Sequence, residues 1–407
     1  MRNSLLATAA LLALGLGAAG AAQAQVSNPV MTMAPGSVTV RLDGRISWFA
    51  GVSGFSGQSF EGTKLSGAGF GGYLRLFPGF DGVAANGLQY GAQSELRVNM
   101  GGTANDETLY VLRAFGYLGL KQAGIVRFGQ QEGALYLYDS GRFEGNDLSF
   151  DDGGWNGDIQ NWFVSKAATP VYPFTWTNNE RATDKIDYIS PDFSGFGFGA
   201  SFEPNNVAEN DSPAVVSQPT AVDIRRNTLE VGGRYKAVMG PFGLYTSAGY
   251  LTAGHVNDSD ATDGQPYKNM NVGSFGLELS YAGFTIGGNT KFGSMNGQFE
   301  PEPSGGTNAL GWMAGWQYAI KHLSFGASYF DYQSTGDFTT PALEGQRRET
   351  GVAAGATYIL VPGVKLFASY LYGTRHQGDF NFQTSKVGPD FNNMQAQVFA
   401  LGTWIYW

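Results

Sequence analysis

Between Val38 and Trp48 the chain alternates strictly, with Thr39, Arg41, Asp43, Arg45 and Ser47 on one face and Val38, Val40, Leu42, Gly44, Ile46 and Trp48 on the other. Side chains of a strand point to opposite faces with period two, so this segment is a strand wetted on one side and covered by something apolar on the other. Leu88 to Met100 repeats the split, with Gln89, Gly91, Gln93, Glu95, Arg97 and Asn99 facing Leu88, Tyr90, Ala92, Ser94, Leu96, Val98 and Met100. Counted between turn signals, the 407 residues contain sixteen such segments, at 37–50, 67–78, 88–100, 108–121, 124–130, 182–190, 196–203, 228–238, 243–254, 272–281, 284–294, 309–320, 323–332, 349–360, 364–373 and 394–407. Glycine is the reason that helices do not compete: 60 residues are glycine, about twice the usual ~7%, and each weakens a helix interior.

The connections decide between a sandwich and a barrel. Gln122-Ala123, Ala282-Gly283, Lys321-His322 and Val361-Pro362-Gly363 are short turns, whereas 51–66, 204–227, 255–271, 295–308, 333–348 and 374–393 are long and polar, with 101–107 an exception to the clean pattern. Up-and-down barrels of the outer membrane have this asymmetry and an even strand number. A sandwich of this length would divide into domains joined by a linker, and no linker is present. Beyond residue 25 no apolar run approaches the ~18 residues of a helical span, so the membrane route open to this chain is a closed barrel. Trp48, Tyr281, Trp312, Trp316, Tyr358, Tyr370 and Tyr372 near strand ends fit aromatic girdles, although the core of a large sheet protein also uses such residues. The expected fold is therefore all-β, a transmembrane antiparallel up-and-down β-barrel of 16 strands.

Residues 1–24 read as a secretory signal peptide: Arg2 at the start, an apolar centre from Leu5 to Leu16, and Ala22-Gln23-Ala24 as a small-residue processing site. The barrel domain would then be 25–407. The absence of cysteine rules out a disulfide scaffold, and a formal charge of −9 argues against nucleic acid as a partner.

Several stretches resemble the Gram-negative general (diffusion) porin family, the sixteen-stranded trimeric kind. They are Arg113-Ala114-Phe115-Gly116-Tyr117-Leu118-Gly119-Leu120 with Val126-Arg127-Phe128-Gly129-Gln130, and Asp184-Lys185-Ile186-Asp187-Tyr188-Ile189-Ser190-Pro191 with Phe196-Gly197-Phe198-Gly199-Ala200-Ser201. The chain end, Gly402, Ile405 and Trp407, resembles that family's assembly signal, with tryptophan where phenylalanine is usual. The resemblance implies a non-enzymatic, cofactor-free, water-filled channel for passive diffusion of ions and small hydrophilic solutes. It also implies a homotrimer in outer-membrane lipid and lipopolysaccharide, inserted by the barrel assembly machinery, and a loop after strand 5 folded inward as the constriction.

The connection 131–181 is far beyond the ~12–15 residues at which loops become unusual. Within 132–181 eight acids stand against three bases, Arg142, Lys166 and Arg181. Asp139, Glu144, Asp147, Asp151, Asp152 and Asp158 are the candidate constriction acids, with Glu132 and Glu180 completing the set. Parity puts Arg41, Arg45, Arg75, Arg97, Arg113 and Arg127 on the polar face of the first five strands, as a basic pore wall. Acids opposite bases would set a transverse field and, given the loop's negative balance, a modest preference for cations. The plainer readings are a solvated acidic loop and arginines paired across strands with Asp43 and Glu95.

A substrate-specific channel for sugars or anions is the alternative, with Trp155, Trp162, Tyr172 and Trp176 lining a stacking path; an outer-membrane hydrolase or adhesin is a third. Gly67-Ala68-Gly69-Phe70-Gly71-Gly72 has dinucleotide-loop spacing but precedes a strand rather than a helix. His255, His322 and His376 are isolated, and no G-x-S-x-G is present. Asp151 with Asp152, and Asp258, Asp260 and Asp263, are weak calcium candidates that lack the full ligand pattern.

Overall fold

The computed structural model describes residues 34–56, 66–100, 109–141, 183–205, 225–255, 267–297, 300–336, 346–384 and 386–407. Among these, sixteen long strands form one antiparallel sheet closed on itself. They are β1 (Ser37–Phe55), β2 (Ala68–Val83), β3 (Gln89–Met100), β4 (Tyr110–Leu120), β5 (Gly124–Gln131), β6 (Thr183–Ile189), β7 (Phe196–Asn205) and β8 (Arg225–Met239). The second half contributes β9 (Phe242–His255), β10 (Met270–Tyr281), β11 (Phe284–Ser294), β12 (Ala309–Ile320), β13 (Leu323–Ser334), β14 (Arg347–Val361), β15 (Val364–His376) and β18 (Asn393–Tyr406). Two short strands, β16 (Phe380–Asn381) and β17 (Lys386–Val387), form a separate hairpin between β15 and β18. A four-residue helical turn, α1 (Ala134–Leu137), follows β5.

Each strand pairs with its neighbours in sequence, and β18 closes the ring against β1, from Arg45–Tyr406 to Phe55–Ala396. Closure leaves no open edge, the condition for a sheet in lipid. One rim carries the tight turns. At Ala282 and Gly283 φ is 49° and 87°, the positive pair that matches the twist of a two-residue hairpin. The other rim carries every long connection.

The outward set is apolar and uncovered: Val40 is 80% exposed and Phe70 73%. A continuous apolar exterior of this kind belongs in lipid rather than water. Toward the tight-turn rim, rings pack in a belt, Phe242 tilted on Tyr281 at 4.6 Å and Phe284 stacked with Trp316 at 6.1 Å between centroids. The aromatic residues singled out by their place at strand ends lie on this outer face, so the girdle reading holds and the sandwich-core reading does not.

Two strands depart from simple alternation. Proline ends the second expected strand at residue 78, yet β2 continues to Val83. Pro78 has no N–H to donate, and the β2–β3 pairing steps over it from Leu76–Leu96 to Gly79–Gln93, while β1 still pairs Leu42 with Pro78. On β4, Leu112 is an extra residue between Arg113, opposite Glu95, and Val111, opposite Leu96. This bulge keeps Arg113 on the same face as Glu95 while Val111 faces outward.

Candidate functional site

The inward face of β1 to β5 carries all six arginines that parity assigns to it, but none forms a bare positive wall. Glu95 on β3 sits among three guanidiniums: Arg97 Nε donates to it at 2.5 Å, Arg113 pairs with it, and Arg75 Nη1 lies 3.9 Å away. Arg113 Nε also donates to both oxygens of Glu132 at 2.6 Å. Arg127 on β5 donates to Asp187 on β6 at 2.6 Å and to the Glu132 carbonyl at 2.9 Å. Arg41 bonds Asp81 at 2.7 Å and lies 3.6 Å from Asp43, and Tyr117 donates its hydroxyl to the same Asp81. Arg75 lies over the Tyr73 ring at 4.1 Å; Arg45 lies over Tyr73 at 5.4 Å and over Trp404 at 5.9 Å. Pairing across strands is thus observed at Glu95, reached by Arg113 and Arg75, and at Asp81, reached by Arg41, whereas Asp43 meets Arg41 within β1.

The strand carboxylates, Asp43, Asp81, Glu95 and Asp187, are inward by the same period-two rule as the arginines, and Glu132 joins them from the first residue after β5, so both signs occupy one face. Five acids, Asp43, Asp81, Glu95, Glu132 and Asp187, offset most of the charge of the six guanidiniums. A second buried cluster adjoins them toward the long-loop rim, where Glu203 accepts from Arg225 at 3.0 Å and Thr228 at 2.8 Å and lies 2.9 Å from Lys185. Sequence reading missed Asp187, Glu203, Lys185 and Arg225. Their alternation in β6 to β8 carries the signal, but neighbour identity needs the register.

The first residues after β5 run along the inner wall toward β11. The Ala134 N–H donates to Ser201 Oγ at 2.6 Å and the Leu135 N–H to Glu230 Oε2 at 3.0 Å. Burial pushes the Tyr138 phenol above its usual range, so it stays protonated and donates to the Phe198 carbonyl at 2.7 Å. Gly232 and Gly276 make the close approach feasible: a Cβ would stand 2.5 Å from the Ala134 carbonyl oxygen in the first case and 2.2 Å from that of Ser140 in the second. Some of the glycine excess therefore clears a trough for this segment.

Asp139, expected among the constriction acids, has its carboxylate buried against the wall, paired with Lys291 and accepting from Asn289 Nδ2 at 2.7 Å. The reason is the trough, which carries Asp139 past β9 and β10 to the lysine on β11. Glu144, Asp147, Asp151, Asp152 and Asp158, the calcium candidates Asp258, Asp260 and Asp263, and the aromatic residues Trp155, Trp162, Tyr172 and Trp176 lie outside the described residues. Of the assembly-signal positions, Gly402 faces inward beneath Phe367 and Phe49, and Ile405 faces outward. Trp407 exchanges two 3.1 Å backbone hydrogen bonds with Gly44 at the closing seam. The glycine-rich Gly67–Gly72 leads into β2, which offers no helix N-terminus to a phosphate. Of the histidines, His322 lies in a tight turn beside Tyr358, and His376 bonds Asn393 at 2.8 Å on the outer face.

The remaining inward surface is of another kind. Phe49, Met313, Phe330, Ala353, Phe367, Leu371, Ala396, Val398, Ala400 and Trp404 form one buried apolar cluster over β12 to β15, β18 and β1. Alternation predicts a polar lining, and this cluster departs from it, although the same strands also carry Ser328, Ser369 and the Glu349–Arg375 pair on their buried face.

A closed sixteen-stranded barrel with a lipid-facing exterior and a charged inner wall defines a channel of the outer membrane. The chain belongs to the Gram-negative porins, whose family model matches residues 7–378. Solved structures of the same fold include an anion-selective porin from Comamonas acidovorans, at 16% identity and a TM-score of 0.58, covering 91% of this chain and 100% of that one. The outer-membrane channel DcaP of Acinetobacter baumannii matches at 11% identity and a TM-score of 0.55, over 92% and 99% of the two chains. The Salmonella typhi OmpF complex with daunomycin matches at 16% identity and a TM-score of 0.53, over 90% and 97%. No curated protein matches the sequence.

Proposed function

We propose that this porin is a general diffusion channel with a modest preference for cations, working as a homotrimer after removal of residues 1–24 and without a cofactor. The observation that carries the selectivity is the pairing of the arginines. Guanidiniums already held by Asp81, Glu95, Glu132 and Asp187 contribute little net field to the lumen. The charge left to act is that of the connection after β5, where Glu144, Asp147, Asp151, Asp152, Asp158 and Glu180 outnumber Arg142, Lys166 and Arg181. An excess of fixed negative charge concentrates cations in the pore.

The test is single-channel recording of the refolded 25–407 chain in a planar bilayer, followed by reversal potential in a salt gradient. Ohmic steps grouped in threes and a potential of the cation-preferring sign are expected. The anion-preferring sign would mean that the arginine wall dominates. A folded protein with no conductance would remove the general-channel reading.

A further inference from the structure

We infer that Asp139 and Lys291 are positioning residues that hold the first limb of the constriction loop, 132–141, against the inner wall and thereby keep the channel at one open level. The inference rests on the channel reading but not on which ion the channel prefers.

The limb has only two acidic side chains, Glu132 and Asp139, and both are anchors. Glu132 is held by Arg113, and Arg127 bonds its carbonyl, beside the strand from which the limb departs. Asp139 is held on the far side of the trough. Its carboxylate meets Lys291 Nζ and accepts from Asn289 Nδ2 at 2.7 Å and from Ser274 Oγ at 3.4 Å. Both ionised side chains are essentially without solvent contact, at 0% and 1% exposure. Around this pair the backbone is fixed as well: Asn289 also donates to the Ser140 carbonyl at 2.7 Å, the Gly141 N–H donates to Glu278 at 2.7 Å, and Tyr245 donates to the Asp139 carbonyl at 3.2 Å.

Beside this pair, the far half of the limb is held by the hydrogen bonds from Asn289, Tyr245 and Gly141 and by Arg234, whose guanidinium lies 5.1 Å over the Tyr138 ring. The pair matters because each buried charge is tolerable only beside the other. Removing one side leaves the other driven toward water, and the nearest water is the lumen. A limb released there obstructs the path, so the effect is read in current rather than only in stability.

The geometry also supplies a chemical substitute for the latch. Ser140 Oγ and Ser247 Oγ are 2.8 Å apart, a separation from which two cysteine sulfurs can reach disulfide distance. The chain has no cysteine, so an engineered pair has no competitor. In wild-type background, S140C/S247C should oxidise within the folded barrel, seen by mass and gel mobility, and leave the conductance unchanged. D139N should lose the single main level and show sublevels and noise. The triple variant D139N/S140C/S247C should recover the main level when oxidised and lose it again on reduction, while heat-dependent mobility shows a folded barrel throughout.

Failure of the cysteines to join in a folded barrel would overturn the inference, because the limb would not lie where it is placed. Wild-type current from D139N would overturn it equally. If D139N does not fold, K291M is read the same way, and failure of both to fold would assign the pair to barrel stability instead. Disulfide formation is scored without current, so a non-conducting protein, which sinks the channel reading, remains distinguishable from a misplaced limb.

Discussion

The two inner walls of this barrel obey the same period-two rule and lean on different materials. Over β1 to β8 the inward face carries guanidiniums, lysines and carboxylates paired around Glu95 and Glu203. Over β12 to β15 and β18 it carries Met313, Phe330, Phe367, Leu371, Val398 and Trp404, packed into a buried apolar cluster that also takes in Phe49, beside the buried Glu349–Arg375 pair. The difference teaches that facing the lumen does not by itself require polarity. What stabilises the buried groups is chiefly opposite charge in one wall and close contact in the other. The walls meet at Arg45, whose guanidinium lies over Tyr73 on the charged side and Trp404 on the apolar side.

If the charged wall is a matched set, removing its central acid should have the largest effect. Glu95→Ala leaves Arg75, Arg97 and Arg113 without a shared carboxylate in a buried site, a change that costs about 3–5 kcal/mol for a broken buried pair. It also adds net positive charge to the wall. A large fall in melting temperature together with a shift of the reversal potential toward anions is expected. A stable variant with unchanged selectivity would show that the three arginines find other partners.

Truncation in the apolar wall should separate the two readouts. Trp404→Ala removes a side chain that is 2% exposed and packs on Phe367 at 5.1 Å between ring centroids. Large-to-small changes of this kind cost about 3–5 kcal/mol. The melting temperature should fall while the reversal potential stays put, since no charge changes. A shift in ion preference would show that this wall shapes the field after all.

The third comparison concerns the acids of the connection after β5. Neutralising Asp147, Asp151 and Asp152 together, as D147N/D151N/D152N, is expected to move the permeability ratio toward anions with little effect on melting. An unchanged ratio would remove those three from the ion path.

How much of this was legible in the letters follows from what each feature depends on. Strand number and barrel closure depend on local alternation, and every expected strand is present with shifted ends. Where the ends moved, a local sign misled: Pro78 reads as a stop, but its missing N–H falls at a gap in the β2–β3 pairing, and the strand runs on. The six arginines were legible from parity alone. Asp187, Glu203 and Lys291 were not, because they matter through partners 60, 22 and 152 residues away, Arg127, Arg225 and Asp139, and only register and loop path bring them together. The apolar wall was hidden for another reason. Along β18 the outward Gln395 and Gln397 alternate with the inward Ala396 and Val398, so the pattern is intact while its polarity is inverted. Period two says that two faces differ and is silent on which one looks into the lumen.

The smallest expected effect is the control that gives the first comparison its meaning. Arg348 donates to Asp331 through Nε at 3.1 Å and Nη2 at 2.5 Å, a bidentate pair as well formed as any in the charged wall. It lies on the outward side of β13 and β14, toward the long-loop rim, and its side chain is 55% exposed while that of Asp331 is 8%. Asp331→Asn leaves behind the partner that solvent reaches, so it should cost less than about 1 kcal/mol and leave the ion ratio alone. If Asp331→Asn destabilises the barrel as much as Glu95→Ala does, the exposure of the partner left behind is not what separates a strong pair from a weak one here. A near-neutral result beside a severe Glu95 variant would instead fix the cause: the inner wall depends on its charge pairs because neither partner can turn to water when the other is removed.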